Sequence, residues 1–239
     1  MSRTIRPLIG VLALTLLSGC SGEKEKIDES YAPTIDPAQF VAAVNNPYFP
    51  LVPGTTFVYE SAEGEERVEV NVTAETKQIM GVTCTAVHTS EYAGERLTEE
   101  TVDWYAQDAD GTVWYFGEDT KAYDENGKAS DEGSWEAGRH GALPGIIMKA
   151  APGAGDSYRQ EYYPGHAEDH GEILDNGVSV TVPYGTYDDA LLIRDWSDLE
   201  PDTFDWKYYV PNVGLVLEAE GGTHRIELVS VTTEVPSAG

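Results

Sequence analysis

The chain has 239 residues and a formal net charge of −27, with 42 aspartate and glutamate residues against 15 lysine and arginine residues. Nucleic-acid binding requires clustered basic side chains that displace counterions, so this charge excludes nucleic acid as a partner. The same negative charge argues against electrostatic binding of the protein to anionic lipid headgroups.

The N-terminus has the features of a bacterial export signal. Arg3 and Arg6 form a positive region, and Leu8 to Leu17 form an apolar run too short to span a bilayer. The next stretch, Leu17-Ser18-Gly19-Cys20, resembles a lipobox, which implies cleavage before Cys20 and its lipidation with palmitate-type acyl chains. Ser21 resembles the pattern of outer-membrane lipoproteins that face the periplasm or the cell surface. The alternative is an ordinary signal peptide that happens to end in Cys.

The remainder of the chain divides into a tether and one domain. After the signal peptide of residues 1–19, residues 20–35 are charged and poor in apolar side chains, as in a flexible tether. Residues 36–236 are predicted to form a single β-rich domain. Asp36-Pro37 predicts a short helix at its start, with Asp as N-cap and Pro in the first turn, ending near Asn45.

From Thr55 onward the pattern favours antiparallel β-structure. Runs rich in β-branched and aromatic residues alternate with turn residues. Between Val68 and Val72, valines alternate with polar residues, which is typical of a sheet with one wet face. Tight turns are predicted at residues 108–111, 125–128, 175–177 and 221–222. The sequence therefore predicts one mainly β, antiparallel domain of roughly a dozen strands, closed as a barrel or half-barrel.

The stretch from Asp103 to Asp119 predicts an aromatic hairpin at the centre of this sheet, turning at Asp108-Ala109-Asp110-Gly111. The carboxylates of Asp108 and Asp110 also allow a calcium interpretation. An EF-hand loop, however, has a further ligand before its glycine and a glutamate at its twelfth position, whereas Glu118 falls at the eleventh. A hairpin turn accounts for these residues, and a weak metal site remains the alternative.

Several phrases together resemble a group of uncharacterised bacterial exported proteins and lipoproteins. These are Asn46-Pro47-Tyr48-Phe49-Pro50-Leu51, Asp103-Trp104-Tyr105-Ala106-Gln107-Asp108, Trp114-Tyr115-Phe116-Gly117-Glu118-Asp119, Gly133-Ser134-Trp135-Glu136-Ala137-Gly138 and Tyr158-Arg159-Gln160-Glu161-Tyr162-Tyr163. The closing run from Tyr208 to Val216 is similar to the tail of secreted β-proteins of lipocalin-like or half-barrel type. The resemblance implies fold and compartment but no activity, because the group has no assigned function.

The polar segment from Arg159 to His170 is the best candidate for a site. Arg159 and Glu161 are two residues apart, so on a strand they would share a face, either as a cross-strand ion pair or as a ligand-gripping pair. In a cavity, Arg159 could hold a carboxylate or another anion. The predicted ligand-binding residues are Trp135, Glu136, Arg159, Glu161, Tyr162, Glu168 and Asp169.

Two histidines in this segment offer a weak transition-metal interpretation. His166 and His170 are four residues apart, which on a helical turn would place both imidazoles on one face, with Glu168 or Asp169 completing a metal shell. The His-Glu-x-x-His pattern is absent, and both histidines could equally be solvated. No cofactor is predicted beyond this weak alternative and the calcium alternative at the hairpin turn.

The sequence contains no nucleophile elbow, phosphate-binding glycine loop or CxxC motif, so no catalytic residues are assigned. Its aromatic wealth without a catalytic set predicts a non-enzymatic, lipid-anchored envelope protein that binds a hydrophobic ligand or an envelope partner. Two alternatives stay open: an envelope hydrolase using carboxylates and histidines of residues 159–170, and a calcium-stabilised structural or adhesion module. The acidity fits a solvated surface, a multivalent-cation binder or a docking face for a basic partner.

Overall fold

The computed structural model describes residues 31–234, so the predicted signal peptide, the lipidation site Cys20 and most of the tether lie outside these residues. The described chain forms one 3₁₀ turn, Pro37–Gln39, and seventeen β-strands. The strands are β1 Val44–Asn46, β2 Phe49–Leu51, β3 Thr55–Ser61, β4 Glu66–Ile79, β5 Val82–Ala93, β6 Arg96–Gln107, β7 Val113–Tyr123, β8 Ala129–Ser130, β9 Trp135–Glu136, β10 Leu143–Met148, β11 Ser157–Arg159, β12 Glu161–Tyr162, β13 Asp169–Val182, β14 Gly185–Ser197, β15 Glu200–Val210, β16 Gly214–Glu220 and β17 His224–Thr233. Within residues 31–234, no helix is long and apolar enough to cross a membrane.

Fifteen of the strands belong to one sheet, whose pairings are antiparallel. Its order is β11-β13-β14-β15-β16-β17-β3-β4-β5-β6-β7-β10-β12, and β8 and β9 also pair with β7. Most neighbours in the sheet are consecutive in the chain, as expected where tight turns join antiparallel strands. β1 and β2 form a separate two-stranded sheet. The prediction of a mainly β, antiparallel domain is therefore confirmed.

The sheet curls into a nearly closed barrel through one short segment of chain. β11 pairs with β13 at one end of the sheet, and β12, which follows at once, pairs with β10 at the other end. Between them, the backbone N–H of Gln160 donates to the carbonyl oxygen of Asp169 at 2.8 Å. We call the meeting of β10, β11, β12 and β13 the seam.

Aromatic side chains of the predicted hairpin lie in the core beside the seam. Tyr105 of β6 and Tyr115 of β7 stack with ring centroids 4.8 Å apart, and both are fully buried. Phe49 meets Tyr105 edge-on at 5.1 Å, and Trp135 meets Tyr115 edge-on at 5.3 Å. Edge-on and offset contacts of this kind are favourable beyond the area that they bury. The hairpin is therefore a packing centre for the barrel.

The predicted N-terminal helix is shorter than expected. Asp36 does act as the N-cap, since its carboxylate accepts a hydrogen bond from the backbone N–H two residues on, at 3.1 Å. The helical turn ends after Pro37–Gln39, however, because the backbone is then taken up by the sheets. Phe40 forms an isolated β-bridge with Asp108, and Val44–Asn46 pairs with β2.

The predicted hairpin turn at residues 175–177 is wrong. β13 runs through these residues without turning, and its pairing with β14 shifts register between Ile173 and Asp175 and again between Asn176 and Val178. The glycine and the polar residues there form bulges in a long strand instead. The chain reverses at Pro183 and Tyr184, between β13 and β14. The turn predicted at residues 221–222 does join β16 to β17.

Candidate functional site: a buried carboxyl cluster beneath a surface cleft

Strands β6, β7 and β12 place acidic side chains in the core of the barrel. Glu99, Thr101 and Asp103 alternate along β6 and are 4%, 3% and 0% exposed. Since residues two apart on a strand share a face, they form one row. Across the ladder, Asp103 pairs with Glu118 of β7, and the charge of Glu161 in β12 adds to burial in raising the pKa of Glu118. We call Glu99, Asp103, Glu118 and Glu161 the carboxyl cluster.

Hydroxyl groups hydrogen-bond to Asp103 and Glu118, and one oxygen of Glu118 is left unpaired. The Tyr115 hydroxyl donates to Oδ1 of Asp103 at 2.6 Å, and the Thr120 hydroxyl donates to Oε2 of Glu118 at 3.0 Å. Hydrogen bonds from Tyr105 and Thr89 also reach Asp103, and one from Trp135 reaches Glu161. Among the described residues, Oε1 of Glu118 has no hydrogen-bond partner. Buried polar atoms are rarely left unpaired, so this oxygen marks a candidate binding position in the cluster.

Two uncharged side chains also bring polar atoms to the cluster. The Tyr105 hydroxyl is fully buried, and its hydrogen bond to Asp103 lowers the pKa of that carboxyl against the larger effect of burial. Burial raises the pKa of this hydroxyl well above its usual value, and the charges of Asp103 and Glu118 raise it further. The indole N–H of Trp135, which is 4% exposed, donates a hydrogen bond to Glu161 and lowers its pKa against the larger effect of burial. The cluster thus contains donors as well as acceptors.

The environment of the cluster favours protonated carboxyls. Burial raises the pKa of Glu99 to about 7, and burial with the added charge of Glu99 raises the pKa of Asp103 to about 7. Burial also holds the pKa of Glu118 well above its usual value, and Glu161 adds to this effect. For Glu161, burial is again the first cause of a raised pKa and the charge of Asp169 is the second. Desolvation and like charges both disfavour ionisation.

A lysine lies in the same core but has its own partners. Lys207 of β15 is 4% exposed, and its Nζ lies 3.0 Å from Oδ2 of Asp195 and 3.8 Å from Oε2 of Glu218. Although burial opposes it, the charges of Asp195 and Glu218 raise the pKa of Lys207 well above its usual value. Lys207 also lowers the pKa of Glu161 slightly against the larger effect of burial. The one buried lysine of the described core is therefore engaged outside the carboxyl cluster.

A surface cleft lies above the cluster, between β7 and the loop of residues 131–142. Its volume is about 290 Å³, close to the lower end of the range of about 300–1,000 Å³ for small-molecule sites. Glu118 and Trp135 line the cleft and also belong to the buried site. Trp135 approaches β7 closely because Gly117 has no side chain, since an added Cβ would overlap the Trp135 carbonyl oxygen. The cleft therefore reaches the carboxyl cluster at Glu118.

The rim of the cleft is formed by ion-paired side chains on a strained turn. Lys77 and Arg139 both pair with Glu136, the former at 2.7 Å and the latter at 2.5 Å. The Lys77 ammonium also lies 3.3 Å from the ring centroid of Trp104. His140 has a backbone φ of 52°, a conformation that is uncommon for a residue with a side chain and is often found at functional sites.

The predicted ligand-binding residues are divided between this cleft and the seam. Trp135 and Glu136 line the cleft, whereas Glu161 lies in the buried cluster below it. Arg159 and Glu161 do not share a surface: the Arg159 side chain is 14% exposed and lies over the Tyr162 ring at 5.1 Å, while Glu161 is 1% exposed. The bend at Gln160, whose side chain donates to Asp195 at 3.2 Å, separates the two.

Tyr31, at the start of the described chain, caps the seam. Its ring packs on Tyr162 with centroids 5.0 Å apart, and its hydroxyl donates to the Pro144 carbonyl oxygen at 2.9 Å. Arg159 lies 5.9 Å from the Tyr31 ring centroid. Burial raises the pKa of Tyr31 to about 12, with Arg159 opposing this rise. This residue of the predicted tether thus contacts three strands of the seam.

The two acids at the end of the predicted segment have different surroundings. Glu168 accepts a hydrogen bond from the backbone N–H of Gly165 at 2.7 Å, which fixes the turn before β13. Asp169 is half-buried at the start of β13 and acts on the buried Glu161 through its charge. Asp169 therefore affects the carboxyl cluster through its charge on Glu161.

The two histidines do not lie on a helical turn, because the chain there forms a turn followed by β13. His166 stacks on Tyr163 with centroids 4.2 Å apart. His170 stacks on Trp196 at 5.1 Å, and its Nε2 lies 2.9 Å from Oδ2 of Asp198. Within residues 31–234, no three His, Cys, Asp or Glu side chains are arranged to hold a metal ion.

Asp108 and Asp110 lie in the turn between β6 and β7. The Asp108 carboxylate accepts hydrogen bonds from the backbone N–H groups of Asp110 at 3.1 Å and Thr112 at 2.9 Å, and from the indole of Trp114 at 2.8 Å. These hydrogen bonds to Asp108 fix the turn of the hairpin. They agree with the prediction of a hairpin turn at these residues.

The sequence interpretation missed three of the four acids of the carboxyl cluster: Glu99, Asp103 and Glu118. The spacing of these residues was a sequence signal, because Glu99, Thr101 and Asp103 are two residues apart and would share one face of a strand. The spacing alone does not show which face of the strand is buried. A row of acids and threonines is more often found on a wet face, which explains why this row was not recognised.

No protein-family model matches the chain, and no curated protein matches its sequence. Two solved structures are similar in fold. One, from Bacteroides fragilis, is named as an exported protein with a YMCC-like fold; it is 11% identical, the match covers 78% of this chain and 99% of that chain, and the TM-score is 0.45. The other, from Parabacteroides distasonis, is named as a lipoprotein; it is 14% identical, with the same coverage and a TM-score of 0.43.

Proposed function

We propose that this chain is a lipid-anchored binding protein of the bacterial cell envelope, and that it receives a small polar ligand at the carboxyl cluster through the cleft. The anchor is supported by the lipobox-like run that ends in Cys20. Two or more acyl chains would hold the mature protein stably on a membrane without a spanning helix. The outer membrane is the proposed location, on the basis of Ser21.

The observation that carries the binding proposal is the unpaired oxygen of Glu118. Oε1 of Glu118 is buried without a partner among the described residues, and Glu118 also lines the cleft. An unpaired buried carboxyl oxygen costs free energy that a bound polar group would recover. The fold thus maintains an unfavourable arrangement at one place that a ligand can reach.

The tryptophans that prompted the prediction of a hydrophobic ligand all make contacts within the fold. Lys77 covers Trp104, the Trp114 indole donates to Asp108, and Trp135, Trp196 and Trp206 pack on Tyr115, His170 and Phe204. The unpaired group that lines the cleft, Glu118, is polar. The geometry therefore supports a polar ligand better than an aliphatic one.

Native mass spectrometry of the mature protein, purified in mild detergent from its own membranes, tests the proposal. We expect a retained small molecule in the wild type, its loss in Glu118→Gln, and its retention in the control Glu100→Gln. Glu100 lies on the exposed face of β6, so its neutralisation changes the same net charge outside the site. The intact mass should also correspond to a chain that begins at Cys20 and carries acyl groups.

Two results would contradict the proposal. Equal retention of the small molecule by the wild type and Glu118→Gln would separate the ligand from the carboxyl cluster. An unacylated mature chain, or one cleaved away from Cys20, would remove the lipid anchor.

A further inference from the structure

We propose that the outer face of β13, β14 and β15, next to the seam, lies against the membrane that carries the acyl anchor. The partner is a zwitterionic phospholipid surface, which the protein contacts at the level of the headgroups. This placement rests on the lipid anchor of the proposed function, but not on a ligand in the cleft. Two observations support it: a continuous row of aromatic and arginine side chains, and the position at which the tether meets that row.

The row begins at the seam and crosses the neighbouring strands. Arg159 of β11 is the cross-strand partner of His170 of β13, and Nη1 of the arginine lies 3.2 Å from Nε2 of the imidazole. His170 in turn pairs with Trp196 of β14, and the two rings stack with centroids 5.1 Å apart. The guanidinium of Arg194 lies 4.7 Å from the Trp196 ring centroid. Cationic and aromatic groups therefore alternate across three strands.

The row continues onto β15. Trp206 is the cross-strand partner of Arg194, and its ring centroid lies 5.9 Å from that of Phe204. We call this row the stripe, and its members are Arg159, His170, Trp196, Arg194, Trp206 and Phe204. All six are partly exposed, whereas Asp195 and Lys207, which alternate with them along β14 and β15, point into the core. The stripe is therefore a solvent-facing surface of the barrel.

The side chains of the stripe are of the types that contact lipid headgroups. Tryptophan has an apolar body with a polar N–H, and arginine has an apolar stem with a charged end. Such side chains are suited to the boundary between hydrocarbon and water, where tryptophan is enriched in membrane proteins. The stripe offers both types side by side on one outer surface.

The charge of the stripe permits this contact although the chain as a whole carries −27. Arg194 is balanced by Glu172 at 3.3 Å, and Arg159 by Asp198 at 3.7 Å. The stripe is therefore close to neutral, and a lipid surface approaches it against less repulsion than the net charge of the chain implies. Exposed acids at the start of β15 lie beside it, which favours zwitterionic headgroups over anionic ones.

The tether meets the barrel at one end of the stripe. The Tyr31 ring centroid lies 5.9 Å from the Arg159 guanidinium, and its hydroxyl bonds to Pro144 on the seam. Tyr31 follows the predicted lipidation site, Cys20, by eleven residues. A chain of that length spans at most about 40 Å, so an anchor at Cys20 keeps this end of the stripe within about that distance of the acyl chains. The side of the barrel that the anchor holds near the membrane is therefore the side that carries the stripe.

Fluorescence quenching on vesicles tests this placement. The full mature protein is reconstituted into vesicles of phosphatidylcholine and phosphatidylethanolamine, with or without lipid that carries a nitroxide on its headgroup. A fluorophore is attached to the new thiol of Asp202→Cys, which lies on the same face of β15 as Phe204. Glu100→Cys is the matched control, because it removes the same charge from an exposed position on β6, six places from β15 in the sheet order. Cys84 is fully buried and does not compete for the fluorophore.

We expect the nitroxide lipid to quench the fluorophore of Asp202→Cys at least about two-fold more than that of Glu100→Cys, because the stripe lies at headgroup level. Equal quenching of the two, or stronger quenching of Glu100→Cys, overturns the inference. Quenching that appears only after anionic phosphatidylglycerol is added also overturns it. Both substitutions are at exposed positions, so neither test depends on a change in the core.

A second pair of variants tests the side chains of the stripe. Arg194→Glu, made in the Asp202→Cys background, places a second acid beside Glu172 and should reduce quenching to the level of Glu100→Cys. Arg67→Glu is the matched control, since the Arg67 and Arg194 side chains are 45% and 43% exposed and each pairs with a glutamate. Arg67 lies on β4, away from the stripe, so its substitution should leave the quenching unchanged. Equal effects of the two substitutions would show that bulk charge decides the orientation, and would overturn the inference.

The anchor and the placement fail in different ways. If the intact mass shows acyl groups at Cys20 but the two fluorophores are quenched equally, the anchor stands and the placement fails. If the mature chain is not acylated at Cys20, both fail, and the free thiol would then take up the fluorophore even in the parent protein. Neither result changes what is expected of the ligand at Glu118.

Discussion

At the scale of single residues, Lys207 shows how a buried charge depends on its ion-pair partners. It is 4% exposed and pairs with Asp195 at 3.0 Å and Glu218 at 3.8 Å. Lys207→Met keeps most of the volume but leaves two buried acids without compensation. We expect a loss of about 3–5 kcal/mol in the free energy of unfolding at pH 7, because removing one partner of a buried ion pair exposes the full desolvation cost of the other.

Denaturant titrations followed by tryptophan fluorescence measure this loss. Lys121→Met is the matched control, since Lys121 is exposed on β7 and should change stability by less than about 0.5 kcal/mol. Similar losses in the two variants would show that Lys207 acts through bulk charge rather than through its buried partners.

The same residues show where sequence reasoning stops. Alternation along β6 indicates that Glu99 and Asp103 share a face. It does not indicate that Trp104, which lies on the opposite face, is covered by Lys77 from β4. That contact joins residues 27 positions apart and depends on the register of three strands. The buried side of β6 therefore became clear only from the tertiary structure.

At the scale of strands, the seam depends on a close approach between β10 and the β11–β12 segment. Gly145 lies against the Gln160 backbone, and an added Cβ would overlap the Gln160 carbonyl. A backbone atom cannot move aside as a side-chain end can. We therefore expect Gly145→Ala to lower the free energy of unfolding by about 1–3 kcal/mol, as for other overpacked sites, and to weaken protection of β11 and β12.

Thermal unfolding and amide hydrogen exchange check this expectation. Gly153→Ala is the control, because its nearest neighbour would be a side-chain oxygen of Asp156 at 3.7 Å, an ordinary contact. If Gly145→Ala and Gly153→Ala had the same melting temperature and exchange pattern, the seam would not be a tight closure.

Strand-level predictions succeeded where local chemistry decides the structure. The turn around Asp108 is fixed by hydrogen bonds within a few residues, and it was predicted correctly. The turn at residues 175–177 was wrong because its partner strand β14 keeps pairing through the bulges, so a tertiary contact overrides the local preference. The helix from Asp36 was cut short for the same reason, as Val44 pairs with Leu51.

At the scale of the whole molecule, the acidity is distributed between surface and core. Among residues 31–234, eight acidic side chains are less than 9% exposed, and Lys207 is the one basic side chain that is buried to this degree. The buried acids are Glu91, Glu99, Asp103, Glu118, Glu161, Asp195, Asp205 and Glu218. A solvated surface therefore accounts for part of the net charge of −27 but not for these residues.

The buried acids should make stability depend on pH in an unusual direction. In the unfolded chain, Glu99 and Asp103 ionise near pH 4, whereas in the folded protein their pKa is about 7. Below pH 4 both states hold these protons and the two acids have no effect on stability. Between about pH 4 and pH 7 the unfolded state has released protons that the folded state still holds, so stability falls as pH rises.

Denaturant titrations at several pH values test this slope. We expect the free energy of unfolding to decrease from pH 5 to pH 7, by up to about 1.4 kcal/mol per pH unit for each acid that stays protonated. The double variant Glu99→Gln, Asp103→Asn should reduce the slope, because it removes two of the titrating acids and leaves Glu118 and Glu161, whereas Glu100→Gln should keep the full slope. Stability that stays constant or rises over this interval would show that the folded cluster is ionised, with its charge compensated.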